Sequence, residues 1–195
     1  KIDKGQLKLN RRRTDLVSHI GSSLSGFEYL AKKRNIRIEF RHVMNRMDFS
    51  IDPNHLDTII YNLMSNALKF TPDKGEITVT LALDSNDGSA EICVMDTGTG
   101  IDEKEGKKLF QRFYQGKNSE SNNIKGFGIG LNLCQMLVQM HGGTISASNR
   151  TDRSGAIFTV VIPHSEICME EDTAAPDISA VEENVHEEIA EKKQR

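Results

Sequence analysis

The chain of 195 residues sets 25 Lys and Arg against 28 Asp and Glu, a formal net charge of -3, so no cationic surplus points to nucleic acid. Hydrophobic residues make up 37%, enough for the core of one domain with appendages, and no run approaches the roughly 18–20 apolar residues that cross a bilayer. Lys1-Ile2-Asp3-Lys4 is not a secretory leader, and the absence of an initiator Met reads as a piece of a longer protein.

Composition divides the chain in three. Residues 1–13 are dense in cations and end in Arg11-Arg12-Arg13, which reads as the end of a preceding element and a linker. Residues 14–165 alternate helical and strand patterns and are expected to form one domain. Residues 166–195 turn acidic, with Glu170-Glu171-Asp172, Glu182-Glu183 and Glu187-Glu188, and are expected to be a linker or disordered tail. Cys93, Cys134 and Cys168 lie far apart in or beside apolar segments, as buried small hydrophobes in a reducing compartment would. The six His show no metal-ligand spacing.

In chain order, Leu16, Ile20, Leu24, Phe27 and Leu30 recur at helical spacing over 15–34. Ile36, Ile38 and Phe40 alternate with charges, a strand with one buried face, and Phe49-Ser50-Ile51 forms another. Asp52 as N-cap and Pro53 at the first helical position open a helix that Thr71-Pro72 ends. Strands over 76–83 and 90–95 flank a Gly turn as a hairpin. A short helix over 107–113, a polar stretch, a helix over 129–140 stopped by Gly142-Gly143, and strands over 144–148 and 156–162 complete the region. Strands outnumber helices and come partly as hairpins. The fold class expected is α+β, a mixed sheet covered on one face by helices.

Three constellations carry chemistry. Placing Asn62 at zero on a wheel of about 100° per residue brings Asn66 and Lys69 beside it, while Leu56, Ile60, Leu63, Met64 and Ala67 fall opposite. A solvated face would look similar, but Asn is a mediocre helix former. Two of them one turn apart beside a Lys fit Mg2+ and phosphate. Second, a strand delivers Asp96 to Thr97-Gly98-Thr99-Gly100-Ile101, where the carboxylate can accept from an adenine amino group and would face the carbonyl of guanine. A plain turn uses the same residues. Third, Gly126-Phe127-Gly128-Ile129-Gly130-Leu131 opens a helix, where free N–H groups and the helix dipole attract anions.

Together and in this order the segments resemble the boxes of sensor histidine kinases. Asn62-Leu63-Met64-Ser65-Asn66-Ala67-Leu68-Lys69-Phe70-Thr71-Pro72 resembles their N box, Asp96-Thr97-Gly98-Thr99-Gly100-Ile101 the first glycine box, Leu109-Phe110-Gln111-Arg112-Phe113-Tyr114 the F box, and 126–131 the second glycine box. Residues 155–158 are similar to a degenerate last glycine box. The resemblance implies the GHKL catalytic and ATP-binding domain, a two-layer sandwich called the Bergerat fold, with ATP and Mg2+ as cofactors. By resemblance Asn66 coordinates Mg2+ with Asn62 in or near the same shell, and Lys69 faces phosphate. Asp96 holds the adenine amino group, Gly98 and Gly100 shape the base pocket, and Ile101 and Phe70 neighbour the base. Gly126, Gly128 and Gly130, with Leu131 closing the box, lie along the phosphates.

The lid of such domains would span 103–127, with 116–123 mobile without nucleotide. Lys125 or Arg112 is the candidate for the γ-phosphate, a solvated lid cation being the alternative. Hydrolysing relatives carry a Glu where Asn62 stands, and an amide cannot take a proton, which points to phosphoryl transfer onto a protein. A Bergerat hydrolase and an inactive nucleotide-binding module are the alternatives. No His sits in an acceptor motif, and residues 1–9 resemble the end of a dimerisation helix, so the acceptor is expected on a dimerisation domain outside this chain. The resemblance further implies a response regulator or receiver domain as partner in a phosphorelay. It implies a monomeric fragment of a homodimeric kinase and a cytoplasmic position in an inner-membrane bacterial sensor, without membrane or nucleic-acid contact by the fragment itself.

Overall fold

The computed structural model describes residues 9–102, 106, 108–114 and 128–164. Strand β1 (Arg12–Asp15) leads into α1 (Leu16–Ser25) and α2 (Glu28–Lys33), followed by β2 (Arg37–His42), β3 (Asp48–Ile51) and α3 (Pro53–Phe70). Then come β4 (Glu76–Leu83), β5 (Ala90–Asp96), α4 (Gly130–Met140), β6 (Thr144–Asn149) and β7 (Ala156–Ile162). Five strands form one sheet in the order β2-β4-β5-β7-β6, and β1 pairs with β3 in a separate two-stranded ribbon. Only β2 and β4 run parallel in the large sheet, because β3 and α3 intervene as a crossover. The expected α+β sandwich is the architecture found, a mixed sheet with helices against it.

Period-2 alternation sets the core. Ile77, Val79 and Leu81 of β4, Ala90, Ile92 and Val94 of β5, and Ala156, Phe158, Val160 and Ile162 of β7 are buried. Register places Val79 against Val94, and Val94 against Phe158. Leu56, Ile60, Leu63, Met64 and Ala67 of α3 join the same core cluster, so the wheel position expected for each is the one observed. The Asp52 carboxylate caps α3 by accepting from the N–H groups of Asn54 and His55 (3.0 and 3.4 Å). Thr71 leaves the helix extended (ψ 128°), as a residue before proline must.

Three local expectations differ. The helical pattern over 15–34 is two helices: Ser23 and Ser25 bond back to the carbonyls of His19 and Ser22, and Gly26 follows, a run that weakens helix propagation. Arg12 and Arg13, expected in a linker, belong to β1. They lack apolar alternation, and their pairing is held by the β3 backbone and by Arg13 on Asp48 at 2.8 Å. Over 107–113 the described residues form successive turns instead of a helix, with Gln111 N–H on Lys108 O and Tyr114 N–H on Gln111 O.

At the outer edge β2 carries an ion ladder, Glu39 accepting from Arg37 (3.0 Å) and twice from Arg41 (2.8 and 2.9 Å). Cys134 is buried, as expected, and its thiol is pushed up to about 12 by that burial. Cys93 is only half-buried, and Cys168 lies outside the described residues.

Candidate functional site

Alternation along β5 puts Asp96 on the same inward face as Ile92 and Val94, but at the strand's end. The side chain is 3% exposed. Its Oδ1 accepts from Gly98 N–H (2.8 Å) and Ala156 N–H (3.2 Å), whereas Oδ2 takes no hydrogen bond from any described residue. Burial raises the Asp96 pKa above its ordinary value, opposed by those two N–H groups and by the charge of Arg150. A buried carboxylate with one tied and one untied oxygen fits a ligand that brings an N–H donor.

The turn after β5 closes on the end of α3. A Cβ on Gly98 would lie 2.5 Å from Phe70 O and 2.8 Å from Asp96 Oδ1, so only glycine allows this approach. At the other end of the same helical face, a Cβ on Gly130 would lie 2.5 Å from Asn62 Oδ1. Asn62 Nδ2 donates to Thr58 O (2.8 Å), which aims Oδ1 at the start of α4. Thus α3 runs between the two glycine boxes, Phe70 against the first and Asn62 against the second. They stand eight positions apart along the helix, about 12 Å. Asn66 and Lys69 are half-buried on that stretch, and the Asn66 amide has no hydrogen-bond partner among the described residues.

Lys69 makes no ion pair among the described residues. Its ammonium lies 5.3 Å from the Phe70 ring centroid, and burial lowers its pKa. Lys69 and Ser65 also line a cavity of about 780 Å³ shared with Phe27, Leu30 and Tyr61.

The second glycine box is braced by the segment expected as the F box. Phe113 N–H donates to Gly128 O (2.8 Å), and Asn132 Nδ2 to Phe110 O (2.9 Å). Gly128 has φ +63°, and a Cβ there would lie 2.6 Å from Tyr114 O. The residue before helix α4, Ile129, gives it no side-chain cap, so among the described residues its first N–H groups are left for another acceptor. Leu131 and Ile101 are half-buried against the core. Gly126, Lys125 and most of the segment expected as a lid lie outside the described residues.

Sequence reasoning missed the β6–β7 hairpin as the wall behind the first glycine box. Asn149 Oδ1 accepts from Ile101 N–H (2.6 Å) while its Nδ2 donates to Ile101 O (2.7 Å). Ser154 Oγ donates to Gly98 O (2.7 Å), and Arg150 Nη1 reaches Asp96 O at 3.5 Å. Gly155, with φ +139°, packs on the Asp96 backbone. These polar residues look like an ordinary hairpin turn, and only Gly155 gave a signal. Among the described residues no cluster of three or more His, Cys, Asp or Glu could hold a metal ion, so a divalent cation here would rely on amide oxygens and on the ligand's own.

Residues 51–166 match the family described as histidine kinase-, DNA gyrase B-, and HSP90-like ATPase. Over 163 residues the chain is 36% identical to sensor histidine kinase TmoS of Ectopseudomonas mendocina, covering 84% of this chain and 16% of that protein. The chain spans well under a third of the length of the relatives it matches. The catalytic domain of histidine kinase ThkA superposes with TM-score 0.70 at 26% identity, over 80% of this chain and 96% of that one. ThkA in complex with response regulator protein TrrA has the same fold, with TM-score 0.68 at 24% identity over 80% of this chain and 42% of that one. The boxes, the sandwich that positions them and these likenesses agree, and the chain belongs to the histidine kinase-, DNA gyrase B- and HSP90-like ATPase family, as a histidine kinase catalytic domain.

Proposed function

We propose that this domain binds Mg-ATP between α3, the turn over 98–101 and the start of α4, and serves phosphoryl transfer to a His on a dimerisation domain outside this chain. The observation that carries the reading is the polar face of α3 held between both glycine boxes, beside a buried carboxylate with one oxygen untied among the described residues. Bound ATP supplies the transferable γ-phosphoryl group, and Mg2+ the charge that offsets its oxygens. Asp96 Oδ2 accepts from the adenine amino group, and Phe70, Gly98, Gly100 and Ile101 enclose the base. Asn66, with Asn62 beside it, offers amide oxygens to Mg2+. Lys69, without an ion pair among the described residues, turns to the phosphates. Gly126, Gly128, Gly130 and Leu131 bring backbone N–H groups to them at the start of α4, where Ile129 offers no side-chain cap.

Asn62 separates transfer from hydrolysis. Its amide is occupied by Thr58 O and has no basic site for a water proton. The whole protein would therefore pass phosphate to its own dimerisation domain and on to a response regulator, the partner class seen with ThkA. The kinase would be a homodimer, with this domain a monomer on the cytoplasmic side of an inner-membrane sensor. No described helix is long and apolar enough to cross a membrane.

Calorimetry tests the reading. A non-hydrolysable ATP analogue should bind in the micromolar range, about 8 kcal/mol, more tightly with Mg2+, and neither GTP nor an Asp96→Asn chain should give heat. Equal binding of GTP, or unchanged binding by Asp96→Asn, would move the base site elsewhere.

A further inference from the structure

We infer that Asn149 is the positioning residue of the purine site: by holding both backbone groups of Ile101 it sets where the turn over 98–101 stands against the Asp96 carboxylate. The inference rests on the nucleotide reading above.

The geometry is specific to an amide. Ile101 presents one donor and one acceptor, and Asn149 meets both, at 2.6 and 2.7 Å. The Ile101 N–H can donate only to an oxygen, which assigns the orientation of the amide. Asn149 is also the last residue of β6 and pairs with Ala156, whose N–H holds Asp96 Oδ1. One rung of the sheet therefore ties both the carboxylate and the turn that would enclose the base. Gly100 carries the imprint: at φ +74° its Cβ would lie 2.8 Å from Asn149 Oδ1, so the turn is shaped around this side chain. Asp at position 149 keeps an acceptor for Ile101 N–H but has no donor, and sets a carboxylate against Ile101 O.

The test is titration of the full chain and of Asn149→Asp with ADP, GDP and a non-hydrolysable ATP analogue, well below the melting temperature. The bonds are exposed to solvent, so the expected loss is modest. ADP and the ATP analogue should weaken by the same factor, about three- to tenfold, and the preference for ADP over GDP should narrow. Asn149→Ser, small and uncharged, should give the same pattern and serves if the Asp variant does not fold. Unchanged affinities with only a lower melting temperature would overturn the inference and reduce Asn149 to a brace of the hairpin. A loss confined to the ATP analogue would overturn it too, since that locates the effect at the phosphates. If the unsubstituted chain binds neither adenine nucleotide, the functional reading falls first and this one with it.

Discussion

Asp96 works against the stability of its own fold. A carboxyl whose pKa is raised on folding keeps its proton in the native state at pH values where the unfolded chain has already lost it. Acidification from neutrality toward the ordinary carboxylate range near 4 therefore relieves this site, and at neutral pH the buried charge is a standing cost. Asp96→Asn should melt at or above the parent temperature at pH 7 without nucleotide, with the difference closing as pH falls. Thermal unfolding at several pH values measures it. A variant that melts lower at pH 7 would mean that the two N–H groups on Oδ1 outweigh the burial. The buried position of Asp96 was legible because alternation along β5 runs unbroken into it, whereas the contact of Asn149 was not, since it is made with a partner 48 positions away.

The two helices of the site are joined by a buried imidazole. Asp52 N–H, at the start of α3, donates to His141 Nε2 at 3.1 Å, and His141 Nδ1 donates to Leu137 O at 2.8 Å, which requires a neutral ring. Burial pushes the His141 pKa down. The bond to Leu137 O works against that, the charges of His55 and Arg11 reinforce it, and Asp52 opposes it. For a depressed pKa the unfolded chain protonates first. The contribution is complete above about pH 6.5, the ordinary histidine value, and is lost as pH falls through the folded value. His141→Phe should cost about 1–3 kcal/mol at pH 8 by stranding the Asp52 N–H, and should flatten the loss of stability between pH 8 and 5. Denaturant titrations across that range check both; an unchanged slope would acquit His141. The start of α3 was readable because Asp52-Pro53 is a local signal. This tie was not, because it joins residues 89 positions apart.

At the scale of the whole molecule, what could be read in advance followed from period. The apolar sets of α3, β4, β5 and β7 predicted both layers and the face each presents, and hence which way Asn66, Lys69 and Asp96 are carried. The partner of β1 could not be read, because Arg12 and Arg13 bear no alternation and pair only where β3 offers an edge. That the large sheet is mixed has a further consequence at β2. Its neighbour β4 satisfies one side, and among the described residues no strand pairs with the other, a row of amides that a second copy could extend. The ladder of Arg37, Glu39 and Arg41 makes such an approach pair like with like wherever two copies stack in register, and it keeps water on the strand. Replacing the three by Thr, Val and Thr removes those charges from residues that add nothing to the buried core, so folding should survive. Colloidal stability should not: light scattering on concentrated, warmed samples should show the neutral strand seeding oligomers and fibres while the parent stays dispersed.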